Sequence, residues 1–282
     1  MSAPAAATGL LGDTPARDYS RKLELFNAFA EPELRAAIAS LGLKPGMRVL
    51  DAGCGTGETL NWLWDEIGPA GEVTGIDLAA AHVAAALKRA RPGTTVVQAD
   101  LLAPPLPPRS FDLIWCVNTI NHLRDPIVGV QTLVQLLRPG GRIALGQSSF
   151  VPDMYFCWDT RLERLTNEAV RQYYRDRYHL SERDLAAVRS LVGVLRRAQL
   201  HEVIPRTFMI ERVAPLAPAD EAYLREAIFR DSWGERLRAY LSEQDYAALA
   251  RLCDPQDAQY ALHRQDFHFL QSFSLIVGQV RT

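Results

Sequence analysis

The stretch VLDAGCGTG, residues 49–57, ends an apolar run in Asp51 and then sets Gly53, Gly55 and Gly57 at alternate positions where a helix should begin. Backbone without Cβ atoms turns sharply at such a point and lets a ligand come close, although a tight turn needed only for packing would also use it. A second run, EVTGID, ends in Asp77, whose carboxylate can accept hydrogen bonds from two ribose hydroxyls. A third, TVVQAD, ends in Asp100 with Leu101 behind it: an acceptor for an exocyclic adenine amine beside an apolar edge for the ring, or else a turn before the proline-rich APPLPP. The three strand ends in register suit an adenosine-type nucleoside. Dinucleotide enzymes use G-x-G-x-x-G with a helix N-terminus facing a pyrophosphate. Here the sequence is G-C-G-T-G followed by Glu58, a carboxylate that repels phosphate but does not oppose a sulfonium cation. The balance falls to S-adenosylmethionine.

The elements that must position these residues follow from periodicity. Residues 1–17 lack it, while Lys22–Leu41 carries apolar residues at helical spacing, with Pro32 expected to break that stretch into two helices. From Met47 short β-rich runs alternate with helical segments through RIALGQSS, which predicts parallel strands joined by right-handed crossovers with helices on both faces. In such sheets ligands bind beyond the carboxyl ends of the strands. With 282 residues, 48% hydrophobic, and a net charge of −2, the chain can bury a large core and offers no global pull toward nucleic acid. Its four cysteines lie far apart, no run of 18 apolar residues occurs, and no secretory leader pattern opens the chain, so a cytoplasmic location is expected.

VLDAGCGTG, VTGIDL, VVQADLLAPPLP, FDLIWCVNTINHLRDP and LRPGGRIAL, in that order and spacing across residues 45–148, resemble the successive motifs of class I S-adenosylmethionine-dependent methyltransferases, in their ubiquinone/menaquinone C-methyltransferase-like small-molecule branch. The resemblance implies a Rossmann-like, seven-stranded, mostly parallel α/β sheet with an antiparallel last strand, helices on both faces and helical cap insertions. It places Gly53, Cys54 and Gly55, behind Asp51, around the methionine part of the cofactor. Asp77 falls on the ribose, and Leu78, Asp100 and Leu101 on the adenine, with His82 in the same cofactor set. Val117 and Asn118 line the cofactor from the fourth strand, and Tyr19 and Phe26 close over it as a lid. The implied organisation is tail and lid helices over 1–40, a cofactor-binding core over 41–149, a cap insertion over 150–180, core again over 181–213, a second cap over 214–265 and the last strand over 266–282. Ser181 with Asp184 reads as a capping box for a helix running to about Gln199.

The expected reaction is methyl transfer to a small acceptor, aromatic or isoprenoid-like, with S-adenosylhomocysteine as product. Because the sulfonium supplies the reactivity, the protein mainly aligns the acceptor and, where needed, removes a proton. His122 is the candidate base, with a loop-anchoring role as the alternative, and Asn121 or Asn118 can orient an acceptor or cap the turn. Tyr155, Trp158, Tyr173 and Arg177 of the first insertion and His263 of the second are candidate acceptor contacts, each with a packing or solvated-face alternative. No metal-ligand motif occurs, and the partners expected are a small-molecule acceptor, not nucleic acid or membrane, with a homodimer left open. Two other classes share the same glycines and acids: an S-adenosylmethionine-binding cyclase or isomerase on the same scaffold, and a non-catalytic cofactor-binding module.

Overall fold

The computed structural model describes residues 15–16, 18–149, 154–156, 159–179 and 187–281. Seven strands form one sheet in the order β3-β2-β1-β4-β5-β7-β6. Strand β1 (Arg48–Ala52) pairs in parallel with β2 (Glu72–Asp77) on one side and β4 (Phe111–Val117) on the other. Strand β3 (Thr95–Gln98) extends the sheet beyond β2, and β5 (Leu137–Ser148) lies parallel to β4. Strand β7 (His268–Gln279) runs antiparallel to both β5 and β6 (His201–Val213), as the resemblance implied. The chain winds outward from β1 in both directions, so the crevice of the fold opens at the carboxyl ends of β1, β2 and β4.

Alternation along β4 separates two cores. Leu113 and Trp115 face one layer with Phe29, Leu34, Leu60 and Leu63, while Ile114 and Cys116 face the other with Val130, Leu133 and Val194. The first layer holds α1 (Ser20–Ala39), α2 (Glu58–Ile67) and α3 (Ala80–Arg89); the second holds α4 (Pro126–Val134) and the short helix Leu191–Arg197. Helix α4 starts where LRDP puts a cap and a proline together: Asp125 Oδ1 accepts from the Ile127 and Val128 N–H groups, and Pro126 occupies the first turn.

Pro32 does not split the first helix. Residues 20–39 form a single helix with Phe29, Ala30, Leu34, Ala37 and Ile38 buried along one face. Proline removes the helical donor to the Ala28 carbonyl and opens the adjacent turn. Arg212 of β6 fills that opening: its Nη2 donates to the Phe29 carbonyl, its guanidinium lies 4.8 Å over the Phe29 ring, and it pairs with Glu33 at 2.8 Å and Asp220 at 2.8 Å. A tertiary cation thus binds the Phe29 carbonyl, next to the Ala28 carbonyl that Pro32 leaves without its helical donor.

The described parts of residues 150–180 and 214–265 are mostly helical. In the first, α5 (Thr160–Tyr178) is capped by Asp159, whose Oδ1 accepts from the Leu162 N–H at 2.7 Å. The second contains Pro218–Tyr223, the wider π-helical turns Leu224–Trp233, the 3-10 segment Gly234–Tyr240 and Glu243–Cys253. They meet at Phe156, whose ring centroid lies 4.8 Å from Trp233 and 5.0 Å from Phe269 of β7. Tyr223 stacks 4.3 Å from Phe29 of α1. Cap, α1 and sheet therefore share one hydrophobic core. The expected capping box at Ser181 and Asp184 lies outside the described residues, and no described helix is long and apolar enough to cross a membrane.

Candidate functional site

A cavity of about 380 Å³ opens at the carboxyl ends of β1, β2 and β4 under the start of α1. Every residue that the strand-end motifs and the lid assignment placed around the cofactor lines it: Tyr19 and Phe26 from above, Asp51, Gly53, Cys54 and Gly55 from the first loop, Asp77, Leu78 and His82 from the second, Asp100 and Leu101 from the third, and Val117 and Asn118 from the fourth. His122 lines it too.

The glycines do different jobs. Gly53 has φ of 84°, and a Cβ there would lie 2.9 Å from Thr119 Cβ and closer still to that threonine's Oγ1 and Cγ2. Its N–H donates to the Ile76 carbonyl, so the turn is pressed between β2 and the end of β4. Gly57 faces away from the cavity, where a Cβ would meet the Ala86 backbone at 2.8 Å, and it serves close packing of α2 on α3.

Asp77 is held from three sides. Its Oδ2 accepts from the Gly55 N–H at 2.9 Å; its Oδ1 accepts from the Ala79 N–H at 2.9 Å and faces His82 Nδ1 at 3.1 Å. Asp100 Oδ1 accepts from the Leu102 N–H at 2.9 Å, so its turn role and its place on the wall coexist. Asp51 differs from both. It is 3% exposed and its Oδ2 has no hydrogen-bond partner. Burial pushes its carboxyl well above the usual carboxylate range, and the negative charges of Asp77 and Glu58 push it further. Burial and the same acids also raise the Cys54 thiol, so Cys54 is a wall group and not a thiolate nucleophile. Glu58 accepts from Thr56 Oγ1 at 2.6 Å and Asn27 Nδ2 at 2.9 Å, and pairs with Arg89 at 3.4 Å.

Asn118 does not serve as a free amide. At φ of 51° it turns its Oδ1 to the Ser148 N–H, 2.8 Å away, and its Nδ2 to Ser148 Oγ at 3.3 Å, fastening the ends of β4 and β5. Asn121 sits in the adjoining 3-10 turn Ile120–His122, half-buried with its Oδ1 unbonded, but off the cavity wall. The other acceptor candidates are not brought to this cavity. Tyr155 is 59% exposed and bridges Leu270 through its backbone; Tyr173 packs edge-on against Tyr174 and Tyr240. Arg177 is exposed over the Tyr178 ring at 5.6 Å, and His263 is exposed 3.8 Å from Glu221. The physical reason is packing: α5 spends its apolar face, Leu162 through Tyr174, on the core shared with α1 and the sheet. Trp158 lies outside the described residues.

Wall residues absent from the sequence reading include Leu23, Asn27, Thr59, Trp115 and Thr119. Thr119 stands inside VNTINHL but its contact, Gly53, is far away in the chain; only the first glycine of the loop hinted that something large occupies that space.

Residues 49–141 match the model of a methyltransferase domain. That match lies on a sheet of order 3-2-1-4-5-7-6 with β7 reversed. Residues 49–141 are thus similar to a methyltransferase domain. It is 34% identical over 119 residues to the 27-O-demethylrifamycin SV methyltransferase of Amycolatopsis mediterranei, covering 40% of this chain and 42% of that one. The chain spans half or less of the length of the first curated relatives it matches. Among solved structures, a phosphoethanolamine N-methyltransferase of Haemonchus contortus, in complex with S-adenosylhomocysteine, superposes with a TM-score of 0.50 at 18% identity, over 97% of this chain and 56% of that one. A [4+2]-cyclase shares the fold more completely, with a TM-score of 0.55 at 18% identity over 95% of this chain and 99% of that one.

Proposed function

We propose that this chain is a class I methyltransferase that carries the methyl group of S-adenosylmethionine to a small-molecule acceptor. The observation that supports it most is Asp51: a buried carboxylate with one unbonded oxygen, beside Asp77, in the wall of an otherwise largely apolar cavity. A buried acid in that position is relieved by a cation, and S-adenosylmethionine carries two, an ammonium and a sulfonium. A pyrophosphate would have the opposite effect. The residues present fit the cofactor: Asp51 with the loop 53–55 for the methionine part, Asp77 for the ribose hydroxyls, and Leu78, Asp100 and Leu101 for the adenine. When bound, the sulfonium supplies an electrophilic methyl group.

The chain's own contribution is alignment and exclusion of water. Leu23 and Phe26 of α1 cover the cavity, and Leu23 Cδ1 lies 3.0 Å from where a Gly55 side chain would begin, so α1 seats directly on the glycine loop. His122 is the one imidazole on the wall beyond the fourth strand among the described residues, and it takes the acceptor's proton where the acceptor needs to lose one. The apolar wall of Leu23, Phe26, Leu34, Trp115 and Val117 favours an aromatic or isoprenoid-like acceptor, and the composition suits a cytoplasmic enzyme.

The cyclase that shares the fold favours one other reading, in which the cofactor is bound and not consumed. Incubation with methyl-labelled S-adenosylmethionine and a metabolite extract separates the two. Label in a small product with equimolar S-adenosylhomocysteine supports methyl transfer; acceptor turnover without S-adenosylhomocysteine overturns it.

A further inference from the structure

The segment before α1 is fastened twice to the start of α3. The Ala80 N–H donates to the Pro15 carbonyl at 3.0 Å, and the Tyr19 N–H donates to His82 Nε2 at 3.0 Å. A backbone N–H can only donate, so Nε2 is bare and the imidazole proton resides on Nδ1. From there it is donated to Asp77 Oδ1, 3.1 Å away. Asp77 Oδ2 in turn holds the Gly55 N–H. One buried ring, 7% exposed, therefore joins the lid, the ribose-side acid and the glycine loop.

We infer that His82 is a positioning residue that latches the lid to Asp77, so that closure over the cavity and orientation of the carboxylate are a single event. The inference rests on reading the cavity as an S-adenosylmethionine site. Tyr19 and His82 rings also face each other, 6.5 Å apart and 28° from parallel, which steadies the ring without fixing its tautomer. The charged groups facing the imidazole are carboxylates: Asp77 from the end of β2 and Asp18 from the segment before α1. On α3 itself, Lys88 and Arg89 lie in the last turn, and Arg89 is engaged by Glu24 and Glu58. A proton added to Nε2 would set two donors, the ring N–H and the Tyr19 N–H, against each other while both carboxylates stabilise the imidazolium. The latch therefore requires a bare Nε2.

The test is hydrogen exchange on the ligand-free full chain, with S-adenosylhomocysteine affinity measured alongside. His82→Asn keeps a donor near the place of Nδ1 and removes the acceptor; His82→Phe keeps a ring and removes both. The expected result is a loss of about 10-fold in protection of the Tyr19 amide in both variants, the scale of one hydrogen bond, with β1 and α2 amides unchanged. S-adenosylhomocysteine affinity should fall in His82→Asn and further in His82→Phe, where Asp77 also loses its donor. A Tyr19 amide as protected in His82→Phe as in the wild type overturns the latch. If the variants do not fold, the ring nitrogen chemical shifts of His82 in the wild type decide: a proton on Nδ1 with Nε2 bare supports the latch, and a proton on Nε2 overturns it. A wild type that fails to bind S-adenosylhomocysteine sinks the cofactor reading instead, while the exchange data still judge the latch.

Discussion

Thr119 occupies the space that a side chain at Gly53 would need: its Cβ lies 2.9 Å from where the glycine's own Cβ would be, with its hydroxyl and methyl closer still. The hydroxyl is itself tied to the Val117 carbonyl at 2.8 Å, so the threonine cannot swing away cheaply. Gly53→Ala should therefore destabilise the protein by about 1–3 kcal/mol, the usual cost of overpacking, on a backbone already at positive φ. Adding Thr119→Gly should recover part of that loss. Denaturant midpoints of the two single variants and the double variant form the cycle; strict additivity would mean that the two residues do not oppose each other.

Asp51 sets a pH dependence. Its folded carboxyl is raised above its ordinary value, chiefly by burial, so the ligand-free native state binds a proton more tightly than the unfolded chain does. The stabilising effect of that proton is fully present below the usual carboxylate range and is lost as pH rises through the folded value. A cationic ligand reverses the preference, so S-adenosylmethionine affinity should increase with pH over the same window and binding there should release a proton. Asp51→Asn should flatten both trends. Thermal unfolding and calorimetry in two buffers of different ionisation heat measure them; proton uptake on binding would contradict the assignment.

Arg212 should be worth more than a surface cation. Its side chain is 13% exposed and it binds Glu33, Asp220 and the Phe29 carbonyl at once. Arg212→Ala leaves two carboxylates and a carbonyl without their donor and should cost about 3–5 kcal/mol, as for other broken buried pairs. Replacing Glu33 by Gln and Asp220 by Asn in the same chain should restore part of the stability. The loss should also be felt in α1 near Pro32, read as faster amide exchange over residues 29–36.

His122→Ala should lower the single-turnover rate by about 10²-fold, the scale of a lost general base, with S-adenosylhomocysteine affinity unchanged. His122→Gln, which keeps a hydrogen-bonding group but cannot take a proton, should not rescue it. Rapid-quench measurements with an identified acceptor check this. A rate restored by Gln would assign His122 to alignment alone.

What the sequence by itself determined is the parallel direction of the strands that alternate with helices and the residues at their ends. Asp51, Asp77 and Asp100 each close an apolar run, and each lies on the cavity because strands that alternate with helices must point the same way. That logic is local and periodic, so it needs no knowledge of distant contacts. Three matters were decided only in the tertiary structure. Pro32 stays within one helix because a guanidinium from β6 answers its freed turn. The amide of Asn118 is held by Ser148, from the neighbouring strand, which fixes its orientation at the end of β4. Tyr155, Tyr173, Arg177 and His263 stand off the cavity because the cap helices commit their apolar faces to a core with α1 and β7. Helical spacing shows that a face exists, whereas the direction in which it points depends on what the rest of the chain packs against it.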